Sequence, residues 1–194
     1  MLRLFVGLAI PEAIRTDLGR LCSGLPGARW VDPENFHITL RFIGEVDEDI
    51  AREIDHELAR ITAPAFELSL AGVGTFGQGF KARALWAGVE ADPVLNLLQG
   101  RVESAVMRAG QPREPRKFMP HVTLARFKHG PSAVPAERLQ QFIMGNNLYR
   151  AGPFSVDAFI LFESQMGKGG PVYHELASYP LGDGYGEMAE WEDA

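Results

Sequence analysis

A strand pattern that occurs twice constrains this chain more than its composition does. His37-Ile38-Thr39-Leu40-Arg41-Phe42 returns 84 residues later as His121-Val122-Thr123-Leu124-Ala125-Arg126-Phe127, with the His-x-Thr-Leu core intact. In each copy apolar and polar residues alternate with period two, the signature of a strand with one buried face. Successive strand side chains point to opposite faces. His37 and Thr39 therefore share one face while Ile38 and Leu40 bury the other, and His121 and Thr123 stand apart from Val122 and Leu124 in the same way. Laid side by side, the two strands aim both imidazole–hydroxyl pairs at one ligand.

The surroundings of the two strands repeat as well. Leu4 to Ile10 reads as a buried strand, followed by Pro11 at the start of a helix whose stripe is Ile14, Leu18 and Leu21 and which ends near Gly24. Trp30 to Glu34 reads as a loop leading into the His37 strand, which Gly44 ends. Asp47 is the expected N-cap of a second helix with the stripe Ile50, Ile54, Leu58 and Ile61, stopped by Pro64. Phe66, Leu68 and Leu70 alternate as a third strand.

The second half replays this order. Leu85 to Ala91 matches Leu4 to Ile10 at an offset of 81; Asp92 and Pro93 start a helix with the stripe Leu95, Leu98, Val102 and Val106; Gly110 closes it. A weaker helix after Pro135 carries Leu139, Phe142 and Ile143. Phe154 to Phe162 is the counterpart of the Phe66 strand, Gly167 to Pro171 a turn, and Val172 to Leu176 a closing strand. Such self-similarity predicts a duplicated unit. The expected fold is α+β and bilobal, each half β-α-β-α-β, the halves related by an approximate two-fold. Antiparallel-rich sheets line a central cleft and the helices lie outside. A single domain is expected over residues 1–182, built of interleaved repeats at about 1–80 and 81–176, with a flexible acidic tail over 183–194.

Gly72-Val73-Gly74-Thr75-Phe76-Gly77 formally spells G-x-G-x-x-G. A dinucleotide fingerprint must open a helix after a strand. Here Gln78-Gly79-Phe80 and another strand, Arg83 to Val89, follow, so a flexible glycine-rich hairpin connection is expected instead.

Composition sets outer bounds. At 194 residues with 46% hydrophobic and 23% charged residues, the chain is an ordinary globular one, of one domain or two small lobes. Its apolar runs are strand-sized rather than membrane-sized, and the apolar start reads as a strand, not a signal peptide. The single cysteine, Cys22, allows no internal disulfide and fits a reducing cytoplasm. Nothing in the sequence points beyond a monomer. A net charge of −6 argues against nonspecific binding to long duplex nucleic acid. Arg113, Arg116, Lys117, Arg126 and Lys128 nevertheless form a basic stretch around His121, with Glu114 its one acid.

Two histidines on a common ligand suit paired acid and base catalysis. Imidazole titrates near pH ~6.5 when unperturbed, so one ring can be held protonated while the other stays neutral. Thr39 and Thr123 can donate O–H bonds to non-bridging phosphate oxygens, which serves charge developing on a phosphoryl group. A cyclic 2′,3′-phosphate at an RNA end is a strained diester that needs this equipment: one ring activates water, the other protonates the departing ribose oxygen. No H-E-x-x-H, cysteine pair or carboxylate cluster accompanies either histidine, so neither metal nor cofactor is expected. A lone His-x-Thr would carry little weight, since Thr is simply a good strand former; two copies in matched register are specific. His56 on the polar side of a helix, His129 in a loop and His174 in a late strand carry no expected catalytic role.

These residues resemble the 2H phosphoesterases and, within them, the bacterial and archaeal RNA 2′,3′-cyclic phosphodiesterases, historically called 2′-5′ RNA ligases. The resemblance runs to about Leu176 and rests on Arg3-Leu4-Phe5-Val6, on Glu34 to Glu45 around the first motif, on Leu85-Trp86-Ala87-Gly88-Val89, on Pro120 to Arg126, and on Leu161-Phe162-Glu163-Ser164. It implies a bilobal fold with a central cleft and metal-independent hydrolysis of RNA ends to a 2′-phosphate. It also implies His37 as proton donor to the leaving 3′ oxygen and His121 as proton acceptor from water, an order the nearly symmetric motifs do not themselves decide. The same resemblance suggests Arg126 at the phosphate.

Strand parity objects to Arg126, which lies an odd number of positions from His121, unless the strand ends or bulges there. Arg41 has favourable parity and weaker family support. Phe42 and Phe127 are offered as base-stacking surfaces, with core packing the expected role of both. Arg116 and Lys117 are candidates for RNA backbone contacts, with solvation the equal alternative. The expected partner is RNA ending in a 2′,3′-cyclic phosphate or a 2′-phosphate, tRNA fragments included, with no membrane. Formation of 2′-5′ linkages on tRNA halves and noncatalytic binding of RNA ends are the alternatives.

Overall fold

The structure, a computed structural model, describes residues 1–77, 81–128, 134–168 and 170–182; His129 and the acidic stretch 183–194 lie outside them. The described elements follow in the order β1 (Leu2–Ala9), α1 (Glu12–Gly19), β2 (Ala28–Trp30), β3 (His37–Val46), α2 (Glu48–Ala59), β4 (Phe66–Phe76), β5 (Ala84–Val89), α3 (Pro93–Arg108), β6 (His121–Phe127), α4 (Ala136–Asn146), β7 (Arg150–Val156), β8 (Ala158–Gly167) and β9 (Gly170–Pro180). α2 and α3 start on the capping chemistry in the sequence, whereas Pro11 and Pro135 stand just before α1 and α4 with no side-chain cap, Pro11 one position ahead of the helix it was expected to open. The Asp47 side chain accepts from the Ile50 N–H at 2.9 Å and Asp92 from the Leu95 N–H at 2.8 Å. Gly110, at φ +84°, follows α3 in the left-handed conformation that suits glycine past a helix end.

The strands form one antiparallel sheet in the order β7-β4-β5-β6-β3-β1-β8-β9, with β2 added to β6. Read outward from its middle, β3-β1-β8-β9 mirrors β6-β5-β4-β7. The duplication is therefore real in space, and the two lobes meet where β3 lies against β6. Their third strands are exchanged: β4, from the first half of the chain, pairs with β5, and β8, from the second half, pairs with β1.

This corrects the expected strand over 154–162, which divides at Asp157: β7 stays on β4 while β8 crosses to β1. Unbroken alternation through Asp157 hid the change of partner, because periodicity reports faces and not neighbours. The loop expected at 30–34 contains the end of β2 and a 3₁₀ turn, Pro33–Asn35.

The glycine-rich stretch is also not a loop. Gly72 to Phe76 belongs to β4, with Val73 to Phe76 paired onto β5, while Gln78, Gly79 and Phe80 lie outside the described residues. Gly74 is there for space: a Cβ on it would lie 2.5 Å from the Trp86 ring. Replacing Gly74 by valine is expected to push Trp86 out of place and destabilise the fold by about 1–3 kcal/mol, measured by urea denaturation.

The core fills one face of the sheet. Leu4, Val6, Leu8, Ile38, Leu40, Leu85, Val122 and Leu124 pack there with Leu18 of α1, Ile54 and Leu58 of α2, and Leu95, Leu98, Val102 and Val106 of α3. Phe5 is buried too but lies outside this cluster, on the histidine face. Among the described residues no helix is long and apolar enough to cross a membrane.

Candidate active site

The junction of the two lobes is the site. Ile38 pairs with Val122 across antiparallel β3 and β6, and both side chains are fully buried. That register sets His37 beside Thr123 and Thr39 beside His121 on the opposite face, since antiparallel neighbours run in opposite order. All four side chains are half-buried. The two imidazole–hydroxyl pairs thus come together at the pseudo-two-fold, as the repeat required.

The rings are held alike. The His37 Nδ1 lies 2.7 Å from the Asn35 carbonyl oxygen and the His121 Nδ1 2.6 Å from that of Met119. A carbonyl only accepts, so Nδ1 carries the hydrogen in each ring and Nε2 is left to exchange a proton. Aromatic walls surround both. Phe5 lies 4.7 Å from the His37 ring centre and Tyr173 meets it edge-on at 5.0 Å, while Phe76 meets His121 edge-on at 4.8 Å and Trp86 lies at 6.5 Å. These walls were not among the expected site residues. Phe5 and Trp86 occupy the same place in the two repeats, a signal the sequence did contain.

Burial pushes the His37 imidazole down to about 4, against its hydrogen bond to Asn35, and the charges of His121 and Arg126 act in the same direction as burial. His121 is lowered as well, by burial first and then by Arg126, against its bond to Met119. Both rings, lowered from their ordinary value, therefore favour the neutral form at pH 7. The unfolded chain binds the His37 proton near pH ~6.5, so this contribution to stability is full above that pH, is lost as the pH falls from there to about 4, and changes no further below. The His37 share of the loss is about 3 kcal/mol, and urea denaturation at pH 7 and pH 4 is expected to show a drop smaller by that amount in His37→Gln, where His121 still titrates, than in the wild type.

A bulge settles the arginines. In the β5–β6 ladder Leu85 faces Ala125 and Trp86 faces Thr123, so Leu124 is an extra residue. Past it Ala125 is buried and Arg126 is exposed, returned to the face of His121 and Thr123. Its charge acts on both histidines. The first repeat bulges at the matching place: Val6 faces Arg41 and Gly7 faces Thr39, skipping Leu40.

The favourable parity of Arg41 is thereby overturned. Arg41 turns to the helix side, where it is 6% exposed, 2.6 Å from Glu103 and 3.6 Å from Glu114, and it donates to the carbonyls of Phe42 and Pro112. Phe42 takes the place that Arg126 holds in the other repeat. It is 39% exposed rather than packed in the core, with the Arg3 guanidinium 5.4 Å from its ring centre. Phe127 is buried, as expected.

Arg116 is exposed but held by Glu114 at 2.8 Å, and Lys117 is exposed. His56 and His174 are exposed, away from the paired rings in sequence and in the ring contacts described. A groove of about 560 Å³ between α2 and α3, lined by Arg60, Arg101 and Arg108 among others, contains none of the cleft residues. Among the described residues no three His, Cys, Asp or Glu side chains cluster to hold a metal.

The likeness to known proteins follows the same duplication. Residues 8–86 and 89–173 each match the family described as LigT like Phosphoesterase. The chain is 37% identical to an RNA 2′,3′-cyclic phosphodiesterase of Aeropyrum pernix over 155 residues, 79% of this chain and 86% of that protein. It is 32% identical to one of Archaeoglobus fulgidus over 178 residues, 90% of this chain and 98% of that protein. Another, of Geobacillus stearothermophilus, is 32% identical over 94% of this chain, which spans 59% of that longer relative. Among solved structures, E. coli LigT complexed with 3′-AMP aligns with a TM-score of 0.73 at 26% identity, over 93% of this chain and 98% of the other. The Thermus thermophilus protein TT0787 aligns with a TM-score of 0.73 at 30% identity, over 92% and 97%. Matched over both halves by sequence and over nearly its whole described length by fold, the chain belongs to the LigT-like phosphoesterases of the 2H family.

Proposed function

We propose that this protein is an RNA 2′,3′-cyclic phosphodiesterase that opens the ring by paired histidine catalysis without a metal, leaving a 2′-phosphate. The observation that carries this reading is the antiparallel pairing of Ile38 with Val122, which brings two imidazoles with free Nε2 atoms to one face with Arg126 beside them. In the mechanism neutral His121 takes a proton from water as the water oxygen bonds to phosphorus. The bond from phosphorus to O3′ breaks, and protonated His37 gives O3′ its hydrogen. Thr39, Thr123 and Arg126 bind the non-bridging oxygens, where charge grows in the transition state. The order of the two roles rests on the family resemblance.

Both rings are neutral before substrate arrives, so the acid must be loaded on binding. The anionic diester favours the imidazolium and raises both pKa values. kcat/KM reports the free enzyme, whose rings are both lowered, and is expected to decline as pH rises through neutrality. kcat reports the complex and is expected to hold to higher pH. A kcat profile that falls at the same pH as kcat/KM would contradict loading on binding.

Phe42 is the proposed platform for a base next to the cyclic phosphate, since it stands exposed at the end of the cleft opposite Arg126. Stacking of one base on an aromatic ring is worth about 1–3 kcal/mol. Phe42→Ala is expected to raise KM by about tenfold or more for an oligonucleotide substrate and to leave kcat near its wild-type value. Arg116 and Lys117 are assigned to the RNA backbone, Arg116 only after exchanging Glu114 for a phosphate. The protein is taken to act as a cytoplasmic monomer on RNA ends such as those of tRNA fragments.

The test is product analysis on a 2′,3′-cyclic mononucleotide in the presence of a chelator. Turnover to the 2′-phosphate supports the reading. Phosphate left on O3′, loss of activity in chelator, or binding without turnover each sinks a named part of it, the last in favour of a noncatalytic RNA-end binder.

A further inference from the structure

The β8–β9 hairpin reaches past the sheet that anchors it. Its ladder with β1 covers Ile160–Glu163, whereas the ladder between β8 and β9 continues to Gly167 and Gly170. Tyr173, opposite Ser164, sits just beyond the part that β1 supports. Its ring is nevertheless fixed, edge-on to His37 and to Phe5, with 5.0 Å between ring centres in each case. A second contact explains how. The Asn35 side-chain amide donates to the Pro171 carbonyl at 3.1 Å, across 136 residues of chain. The same residue's main-chain carbonyl is the acceptor for His37 Nδ1. Asn35 thus holds the catalytic ring with one group and the neighbouring arm with another. The second repeat has no equivalent, because Met119 occupies the matching place before His121 and has no amide to offer.

We propose that Asn35 and Tyr173 are positioning residues for His37: the Asn35 amide clasps the β8–β9 arm so that Tyr173 stays packed against the imidazole and keeps water from it. The proposal rests on His37 being one of the two proton carriers of the cleft. The charged groups that act on His37 are His121 and Arg126 from β6, and from β9 the Tyr173 ring lies against it. The rings that β1 and β8 bring to it are Phe5 and Phe162. Releasing the arm removes a wall and leaves both of these charges in place. Its effect is therefore hydration of one ring, and hydration favours the charged form.

The titration of each histidine, followed by the NMR signals of its ring carbon-bound hydrogens, tests this without reference to activity. Asn35→Ala and Tyr173→Ala are expected to raise the His37 midpoint by about one pH unit or more, a tenfold gain in proton affinity, and to leave His121 where it was. Tyr173→Phe keeps the edge-on ring and is expected to keep the wild-type midpoint. A His37 midpoint unmoved in both alanine variants overturns the proposal. So does an equal shift of His121, which would mean general loosening, or a Tyr173→Phe variant that shifts as far as Tyr173→Ala. If Asn35→Ala does not fold, Tyr173 lies on an edge strand whose side chains are mostly exposed, and the pair Tyr173→Ala and Tyr173→Phe decides alone. Failure of the wild type to hydrolyse the cyclic phosphate would end the proposed function and leave this titration result standing.

Discussion

Alanine at His37 or at His121 is expected to slow hydrolysis of a nucleoside 2′,3′-cyclic phosphate by about 10²–10⁴-fold, because each ring carries one positioned proton transfer. The double variant should be little worse than the worse single one, since groups that act as a unit are not additive. Neither change should unfold the protein. Both rings sit half-buried at the edge of the cleft, not in the core between sheet and helices. The measurement is a single-turnover rate alongside circular dichroism and urea denaturation at pH 7. Near-wild-type turnover in either folded variant would remove paired catalysis from consideration.

Arg41→Ala is expected to have the largest effect on stability. The guanidinium is buried against α3 and the 111–120 loop, with Glu103 and Glu114 as its ionic partners. Removing one member of a buried pair strands the other's charge and costs about 3–5 kcal/mol. Against the usual urea dependence, the midpoint should fall by about 1–3 M. The site should feel it unequally. Arg41 holds the Pro112 carbonyl and Glu114, at the start of the loop that ends in Met119, whose carbonyl orients His121. His37 takes its carbonyl from Asn35, on the other side of the bulge. A midpoint that moves by less than about 0.5 M would show that water or a neighbour replaces the guanidinium.

Arg41 also marks the limit of what the letters disclose. Alternation gave the faces of β3 and β6 correctly as far as Leu40 and Leu124. An extra residue in each strand then inverted the side chains that follow it, sending Arg41 inward and turning Phe42 and Arg126 toward the cleft, until β3 shifts register again at Ile43. A bulge leaves no trace in a period-two pattern except a pair of adjacent buried residues, and Leu124-Ala125 is as short as such a sign can be. The paired histidines were legible because duplication states the same fact twice. The aromatic walls were half legible, at Phe5 and Trp86, for the same reason. Tyr173 and Asn35 were not, since what joins them is a contact across 136 residues and only in one repeat.

The crossing of β8 to β1, matched by β4 on β5, interlocks the two lobes. Between β3 and β6 the seam itself is narrow, with Ile38 paired to Val122. Each half of the chain holds the strand that covers the other half's first strand, so neither lobe can peel away without breaking a ladder inside its own sheet. A single cut in the backbone between β4 and β5 would therefore leave the two pieces clasped together.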